Sequence, residues 1–449
     1  MSEAAAGPAA PGGSADAGGR PGKMSVRGAA FIGIGSMVGA GIFALLGQAG
    51  AYAGSALWIS FVLAGGIALL QGYSFALFGA KYPSAGGLFE YLAHGFGNGH
   101  ITGMAAWLIF AVNAIITSLV AVSFGNYAAS LFIGDDAGQA AVKLFAVALV
   151  IVLAAVNTGG AGLIEKAQSA IVWPLIGVLV GFAVLGLAQI NPDYLARSTY
   201  PPARDIFTSV GLTFFAFLGF AIVSFTAGDL ANPRRELPRA MYIALGVTTA
   251  LYVAVAIAVF GTLTVDEVIA SGETALAKAA EPFLGQAGYT IMAIAALLAT
   301  SSSVNAGLYP ANGMSKDLVA KGQFPPALAR PVRGGTMGLV VTTGLTLLLT
   351  VVFDLSSIAN LGSAAALLGF LLVSIAHTRV VHETGAKRWI IVLGAFVTAG
   401  TFIYFTLTTV VKEPPTLAAL ILIILLSVLL DIVWKWRRDR RAVPQITTT

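Results

Sequence analysis

The stretch FIGIGSMVGAGIF, residues 31–43, is strongly apolar, yet it contains four glycines and one serine. Glycine inside a helix costs about 1 kcal/mol relative to alanine, so its frequency here needs a reason. Small residues that let membrane helices pack closely are one explanation. A broken helix is the other, because unwound backbone inside a membrane is tolerated only where it lines a cavity. A dinucleotide-binding loop is excluded, since it needs an acidic residue about 20 positions on and the next charged residue is Lys81.

The composition predicts an all-α integral membrane protein. Of the 449 residues, 57% are hydrophobic and only 10% are charged, whereas a soluble domain averages about 25% charged residues. Long stretches lack any Asp, Glu, Lys, Arg or His, and a bilayer span needs about 20 apolar residues. We therefore predict twelve transmembrane helices, near residues 28–50, 55–80, 101–133, 139–157, 163–190, 207–230, 240–262, 285–312, 335–353, 355–377, 389–411 and 415–435.

The distribution of basic residues predicts the orientation. An even number of spans places both termini on one side, and 20 of the 25 Lys and Arg residues lie on that side against 5 on the other. Basic loops stay in the cytoplasm, so we expect both termini to be cytoplasmic and the protein to lie in the cell membrane. The net charge of +5 is explained by this topology, and we expect no nucleic-acid partner.

A second interruption is predicted in the sixth helix, where FFAFLGFAIVSF (residues 214–225) places Gly219 inside an aromatic run. Breaks five helices apart are expected if helices 1–5 and 6–10 form two repeats of opposite orientation around a site at the bilayer midplane. The chain then divides into a disordered cytoplasmic tail (1–25), a membrane domain (26–436) and a basic cytoplasmic tail (437–449). The repeats occupy about 26–190 and 205–378, and accessory helices occupy 389–436.

Other features of the chain exclude several functions. The chain contains no cysteine, so disulfides and thiol chemistry do not apply. An ATP-driven pump needs a phosphate-binding loop of the form GxxxxGK[ST], which this sequence lacks. A membrane enzyme would need clustered His, Asp or Glu within its spans; none cluster, so we expect no catalysis, no metal and no cofactor. Paired broken helices favour a secondary transporter over a channel or receptor.

Four segments resemble the signature segments of amino-acid permeases of the amino acid–polyamine–organocation superfamily: GIGSMVGAGIF, PSAGGLFEYL (83–92), FFAFLGF and NPRRELPRA (232–240). The resemblance covers about residues 26–430 and implies a five-plus-five inverted-repeat, LeuT-like fold with broken helices 1 and 6. It implies that an amino-acid carboxylate binds the backbone of Ala40 and Gly41, beside Gly39. The carbonyls implied for the ammonium are those of Met37, Phe215, Ala216 and Leu218, beside Gly219. Phe215 matches the aromatic residue that closes over the substrate.

Backbone groups can bind both charges of an amino acid in spans that carry no charged side chains. Freed N–H groups at the start of a half-helix carry positive partial charge and suit a carboxylate, while freed C=O groups suit an ammonium. A cationic side chain would need a partner carboxylate in the pocket or incur a large desolvation cost. We therefore expect a neutral amino acid as substrate. Asn113 and Thr117 in helix 3 could contact the substrate, or form hydrogen bonds between helices.

The sequence does not specify which ion, if any, is coupled to transport. Many relatives carry an acidic residue two positions after the helix-6 glycine, where this chain has Ala221, and some carry a helix-5 lysine that is absent here. A proton, handled at the polar rim near Glu90 or Asp229, is our first expectation; a sodium-coupled symporter and an exchanger are the alternatives. Three serines of helix 8 could hold sodium with helix-1 carbonyls, or bond back to their own helix: Ser301, Ser302 and Ser303.

Overall fold

The computed structural model describes residues 24–83, 88–134, 137–158 and 162–442, and nearly all of them are helical. The first half of the chain forms α1 (Val26–Ala40), α2 (Ile42–Ala53), α3 (Leu57–Lys81), α4 (Leu88–Phe96), α5 (His100–Phe132), α6 (Gln139–Thr158) and α7 (Gly162–Ala188). The second half forms α8 (Ala203–Phe215), α9 (Phe220–Phe225), α10 (Pro233–Thr262), α11 (Val265–Ser271), α12 (Ala275–Lys278), α13 (Glu281–Ala320), α14 (Met337–Val352), α15 (Leu355–Arg379), α16 (Val381–Thr384), α17 (Arg388–Thr408) and α18 (Pro414–Ala442).

Short elements connect these helices. The strands β1 (Pro331–Val332) and β2 (Gly335–Thr336) pair antiparallel in a hairpin between α13 and α14. The 3-10 helices span Gly54–Ala56, Pro192–Leu195, Arg197–Thr199, Thr226–Asp229, Gly272–Thr274, Pro326–Ala329 and Val410–Lys412.

The helices are those of a multi-pass membrane protein. Nine segments of the described chain are long and apolar enough to cross a bilayer: Ile42–Lys81, His100–Phe132, Gln139–Thr158, Ala203–Asp229, Pro233–Thr262, Glu281–Ala320, Leu355–Arg379, Arg388–Lys412 and Pro414–Arg440. Three shorter apolar helices accompany them: Val26–Gly39, Val172–Ala188 and Met337–Val352. The prediction of an all-α integral membrane protein is confirmed.

Burial separates central helices from peripheral ones. In the most apolar parts of the spans Ala203–Asp229 and Leu355–Arg379, 78% of residues are buried, and α5 reaches 72%. The corresponding values are 17% for α6 and 22% for each of α17 and α18. A helix that is hydrophobic all round and little buried against protein meets lipid, so α6, α17 and α18 lie at the periphery of the bundle.

Capping residues determine where several helices begin. Ser25 Oγ accepts a hydrogen bond from Gly28 N–H at 3.1 Å and starts α1. Thr336 Oγ1 accepts from Leu339 N–H at 3.3 Å and starts α14. Each cap satisfies an N–H group that the first helical turn leaves unpaired.

The structure describes only small parts of the two predicted tails. Residues 1–23 and 443–449, which form most of both tails, lie outside the described residues, as do residues 84–87 of the second signature segment. Met24 N–H donates to Asp229 O at 3.1 Å and Met24 pairs with Leu230. At the other end α18 continues to Ala442, whereas the basic tail was expected to begin at residue 437.

Candidate functional site

The two interrupted helices predicted from the sequence meet in the centre of the protein. A Cβ atom placed on Gly41 would lie 2.7 Å from the carbonyl oxygen of Ala216, and one on Gly219 would lie 2.6 Å from Met37 N. Met37, Phe215 and Ala216 are almost completely buried. Glycine is needed at positions 41 and 219 because any side chain would push the first and sixth spans apart.

The interruption of the first span is narrower than an unwound segment. Helix α1 continues to Ala40, α2 begins at Ile42, and Gly41 between them has φ −95° and ψ −74°. The Gly41 N–H group donates to Met37 O at 2.8 Å. In this arrangement the Gly41 N–H implied for a substrate carboxylate is therefore occupied by the protein itself, and Ala40 is the last residue of α1.

The interruption of the sixth span covers a full turn. Helix α8 ends at Phe215 and α9 begins at Phe220. The hydrogen bonds between them follow a tighter i to i+3 pattern, including Leu218 N–H to Phe215 O at 3.1 Å and Ala221 N–H to Leu218 O at 3.2 Å. Phe215 O and Leu218 O, two of the carbonyls implied for the substrate ammonium, thus already accept one hydrogen bond each, and each keeps a second lone pair for a further donor.

The Tyr252 hydroxyl connects the two interruptions. Its oxygen lies 2.6 Å from Met37 O and 3.1 Å from Ala216 O, and both are carbonyls implied for the substrate ammonium. The side chain is completely buried, and its ring packs against Phe61 and Phe217 with ring centres 5.2 Å away in each case. One hydroxyl proton is thus shared between two carbonyl oxygens. An ammonium group, which has three N–H donors, could donate to both carbonyls in place of the hydroxyl.

Sequence reasoning missed Tyr252, although a signal was present. It is a tyrosine near the middle of the charge-free run Ala240–Val265, and a buried tyrosine hydroxyl must find a hydrogen-bond partner. Which carbonyl it would meet could not be read from the sequence, because α10 and the two interrupted spans come together only in the folded chain.

A cavity of about 1160 Å³ leads from one face of the protein towards this point. Its inner end reaches Gly35 and Ser36 of α1, and a Cβ on Gly219 would lie 2.7 Å from Ser36 Oγ. Its mouth carries Arg27, Asp229, Lys316 and Asp317, and therefore opens on the side where α1 begins and α13 ends. None of the residues predicted to bind the substrate lines the cavity, whereas Asp229, one of the two carboxylates predicted at the rim, does.

The opposite face is closed over the second half of the first span. A Cβ on Gly47 would lie 1.9 Å from the carbonyl oxygen of Gly272, in the 3-10 turn between α11 and α12. Gln48 Nε2 donates to Glu273 Oε1 at 3.1 Å across the same contact. The second half of the first span is thus packed against the turn between α11 and α12.

The helix-3 residues and the candidate aromatic gate contact protein groups. Asn113 Nδ2 donates to Gly307 O of α13 at 2.8 Å, and Thr117 Oγ1 donates to Asn113 O at 2.7 Å. Both polar side chains therefore make the hydrogen bonds within and between helices that were the alternative to substrate contact. The Phe215 ring lies beside Gly362 of α15, where a Cβ would be 2.4 Å from the ring.

The three serines of α13 are all half-buried, Ser302 among them, and the contacts of Ser301 and Ser303 differ. Ser301 Oγ donates back to Leu297 O at 2.6 Å. Ser303 faces α1, because a Cβ on Gly39 would lie 2.1 Å from Ser303 Oγ. The contact between α13 and the first span therefore includes Ser303 and Gly39, close to the interruption at Gly41.

An ion-pair cluster links the end of α13 to α4 and includes Asp317, which lines the cavity. Lys321 pairs with Glu90 of α4, and its Nζ lies 2.9 Å from Asp317 Oδ2. Burial alone would lower the pKa of Lys321, but the hydrogen bonds to the two carboxylates outweigh it and raise that pKa above its ordinary value. Glu90 also lies 3.4 Å from His94 Nε2. Of the two carboxylates expected at the rim, Glu90 is therefore engaged in an ion pair with Lys321, while Asp229 borders the cavity.

Comparison with known proteins identifies the class. The amino acid permease family model matches residues 24–430, so the chain belongs to this family of transporters in the amino acid–polyamine–organocation superfamily. It is 32% identical to the inner membrane transport protein YbaT of Escherichia coli over 367 residues, covering 82% of this chain and 85% of that protein.

Two further relatives carry substrate names. The methylthioribose transporter of Bacillus subtilis is 26% identical over 368 residues, covering 77% of this chain and 78% of that protein. The serine/threonine exchanger SteT of the same organism is 26% identical over 301 residues, covering 65% and 67%. These proteins are transporters of different solutes, so membership of the family does not by itself specify the substrate.

Proposed function

We propose that this protein is a secondary active transporter that carries a neutral amino acid across the cell membrane by alternating access, with both termini in the cytoplasm. The nine long segments and the three shorter apolar helices of the described chain give twelve spans. In this count α1 and α2 together form the first span, α3 forms the second, and α8 and α9 together form the sixth. The interrupted spans are then the first and the sixth, as expected of two five-helix repeats of opposite orientation.

The observation that carries the proposal is the convergence of the Met37 and Ala216 carbonyls on the Tyr252 hydroxyl. An ammonium entering from the cavity would take over these acceptors. The Gly41 N–H, which now donates to Met37 O, would turn to the substrate carboxylate together with the Ala40 backbone. Two opposite charges are then held by backbone dipoles alone.

The substrate class follows from what the site lacks. The described residues around the two interruptions are apolar or carry uncharged polar groups, so a cationic side chain would meet no carboxylate there. The similarity to a serine/threonine exchanger supports a small neutral amino acid, and serine is the probe that we choose.

Alternating access is supported by the asymmetry of the molecule. A cavity reaches Ser36 from the side of Arg27 and Asp317, while the Gly47–Gly272 contact closes the other side. Proton coupling is our first candidate, with Asp229 as the rim carboxylate that borders the cavity. Sodium binding between Ser303 and the first span is the second candidate, because these groups lie in contact.

Uptake of labelled L-serine into proteoliposomes tests the function. Acceleration by an inward-directed proton gradient, abolished by a protonophore and unchanged when choline replaces sodium, is the expected result. Dependence on sodium would reject proton coupling. Exchange that is indifferent to both gradients would make the protein an exchanger, and the absence of both serine uptake and serine exchange would reject a serine-type substrate.

A further inference from the structure

The last two turns of α18 carry the run KWRRDRR, from Lys435 to Arg441, and the structure divides its residues between two faces. Lys435 and Asp431 are on the inner face, where they are 4% and 0% exposed. Lys435 Nζ lies 2.7 Å from Asp431 Oδ1 and 2.7 Å from Gly99 O. His100 Nδ1 lies 2.6 Å from Asp431 Oδ2. These contacts hold α18 against the start of α5.

Two neighbouring side chains, Trp434 and Arg438, bind the loop that follows α13. Trp434 Nε1 donates to Gly322 O at 3.0 Å, and Arg438 Nη1 donates to the same oxygen at 3.2 Å. Arg438 also pairs with Asp439 at 3.0 Å. The inner positions are therefore occupied by protein partners, so Lys435 and Arg438 are not available to an external ligand.

The outer face is different. Trp436 is 53% exposed, and Arg440 stacks on its ring with the guanidinium carbon 3.8 Å from the ring centre. Arg437 is exposed beside them. Throughout the described ranges no carboxylate pairs with Arg437 or Arg440. Two guanidinium groups and an indole thus form an outer face without a protein partner.

The position of this face along α18 places it at the membrane surface. A helix rises about 1.5 Å per residue, and the hydrocarbon core is about 30 Å thick, so about 20 residues from Pro414 cross it and the crossing ends near Val433. At the same rise, Trp436 and Arg437 lie about 5–6 Å beyond Val433, within one headgroup layer of about 5–7 Å. The backbone of Arg440 lies about 10 Å beyond Val433, and its side chain reaches back to the Trp436 ring. Ile432 and Val433, 49% and 36% exposed, lie one turn below Trp436 and Arg437.

We propose that Trp436, Arg437 and Arg440 form a binding site for the headgroup of an anionic phospholipid. The guanidinium groups suit a phosphate geometrically and electrostatically, and tryptophan is favoured at the boundary between hydrocarbon and headgroups. Ile432 and Val433 offer an apolar surface for the acyl chains of the same lipid. The proposal rests on α18 spanning the bilayer, which belongs to the proposed function, but not on any transport activity.

The alternative is that these arginines only set the orientation of the last span. Orientation depends on the number of basic residues near the end of a span, whereas a lipid site depends on which face they occupy. Removing Arg437 and Arg440 is therefore the informative change. An equal loss of charge at another exposed position on the same side is the matched control.

The test uses the full chain in phosphatidylcholine vesicles that contain brominated lipids, which quench tryptophan fluorescence on contact. Subtracting the signal of a Trp436→Phe variant isolates Trp436 from the other five tryptophans. We expect brominated phosphatidylglycerol to associate with Trp436 about 30-fold better than brominated phosphatidylcholine. Two basic residues at about 1 kcal/mol each give this factor.

In the Arg437→Gln/Arg440→Gln variant the preference should fall to near equality. In the control variant Arg234→Gln/Arg235→Gln, which removes two exposed charges at the start of α10, the preference should persist. A preference that survives the first change, or that both variants lose equally, would overturn the proposal. Serine transport is measured separately in pure phosphatidylcholine, so failure of the transport proposal and failure of the lipid site give distinct results.

Discussion

Replacing Gly41 by alanine tests how closely the first and sixth spans must approach. The added Cβ would lie 2.3 Å from the Tyr252 hydroxyl oxygen, 2.7 Å from Ala216 O and 2.8 Å from Ala216 Cβ. Nonbonded carbon atoms prefer separations of about 3.5–4.0 Å. The Tyr252 oxygen lies on the axis of a ring that is packed against Phe61 and Phe217, so rotation of the ring does not relieve the contact. The Ala216 backbone is equally fixed, so the two spans would have to separate by about 1 Å.

The expected cost follows from this clash. Inserting a methyl group into a packed region costs about 1–3 kcal/mol, which corresponds to a factor of about 5 to 150 in an equilibrium constant. Because the strain arises where the site closes around the substrate, we expect the KM for serine to rise by such a factor. Gly41→Leu, which is larger still, should abolish binding.

The assay is uptake of labelled serine into proteoliposomes, with size-exclusion chromatography and thermal unfolding as checks of the fold. Gly246→Ala is the matched control. Gly246 lies on α10, the helix of Tyr252, but faces outward, and a Cβ there would meet no atom within 4 Å. A folded Gly41→Ala protein with an unchanged KM would refute the placement of the substrate between the two spans.

Three further predictions follow from individual contacts. Tyr252→Phe removes the donor to Ala216 O in the empty site, at a cost of about 1–3 kcal/mol, whereas a bound ammonium would still donate to this carbonyl. Net uptake requires the empty site to form in each cycle and exchange does not, so net serine uptake should fall relative to serine exchange. Equal losses of uptake and exchange would contradict this prediction. If sodium is the coupling ion, Ser303→Ala should remove the sodium dependence of uptake and Ser301→Ala, whose hydroxyl bonds its own helix, should not. The pKa of Glu267 lies below its ordinary value of 4.5 because the backbone and side chain of Thr264 donate to it. Its stabilising contribution is therefore present above about pH 4.5 and lost as the pH falls through the lowered value. Thr264→Ala should remove a cap of about 1 kcal/mol and make the acid side of a thermal unfolding profile measured against pH less steep, without abolishing its slope, because the backbone N–H group of residue 264 still donates to Glu267.

The sequence by itself showed that the protein lies in a membrane, and it indicated the approximate limits of its helices and its family. Long stretches without charge can only be buried in lipid or in other such helices, and this holds whatever the packing. The two interruptions were also predicted from composition, because glycine inside a helix weakens it locally. These properties depend on neighbouring residues along the chain, and so they can be read from a single sequence.

Only the tertiary structure decided how the interruptions are used. The first is reduced to Gly41 because the Gly41 N–H and the Tyr252 hydroxyl both reach Met37 O, and Tyr252 comes from a helix more than two hundred residues further along the chain. The division of the last basic run into an inner and an outer face depends likewise on Gly99 and Gly322. Hydrogen bonds form between groups that are close in space, and closeness across such sequence separations arises only when the helices pack.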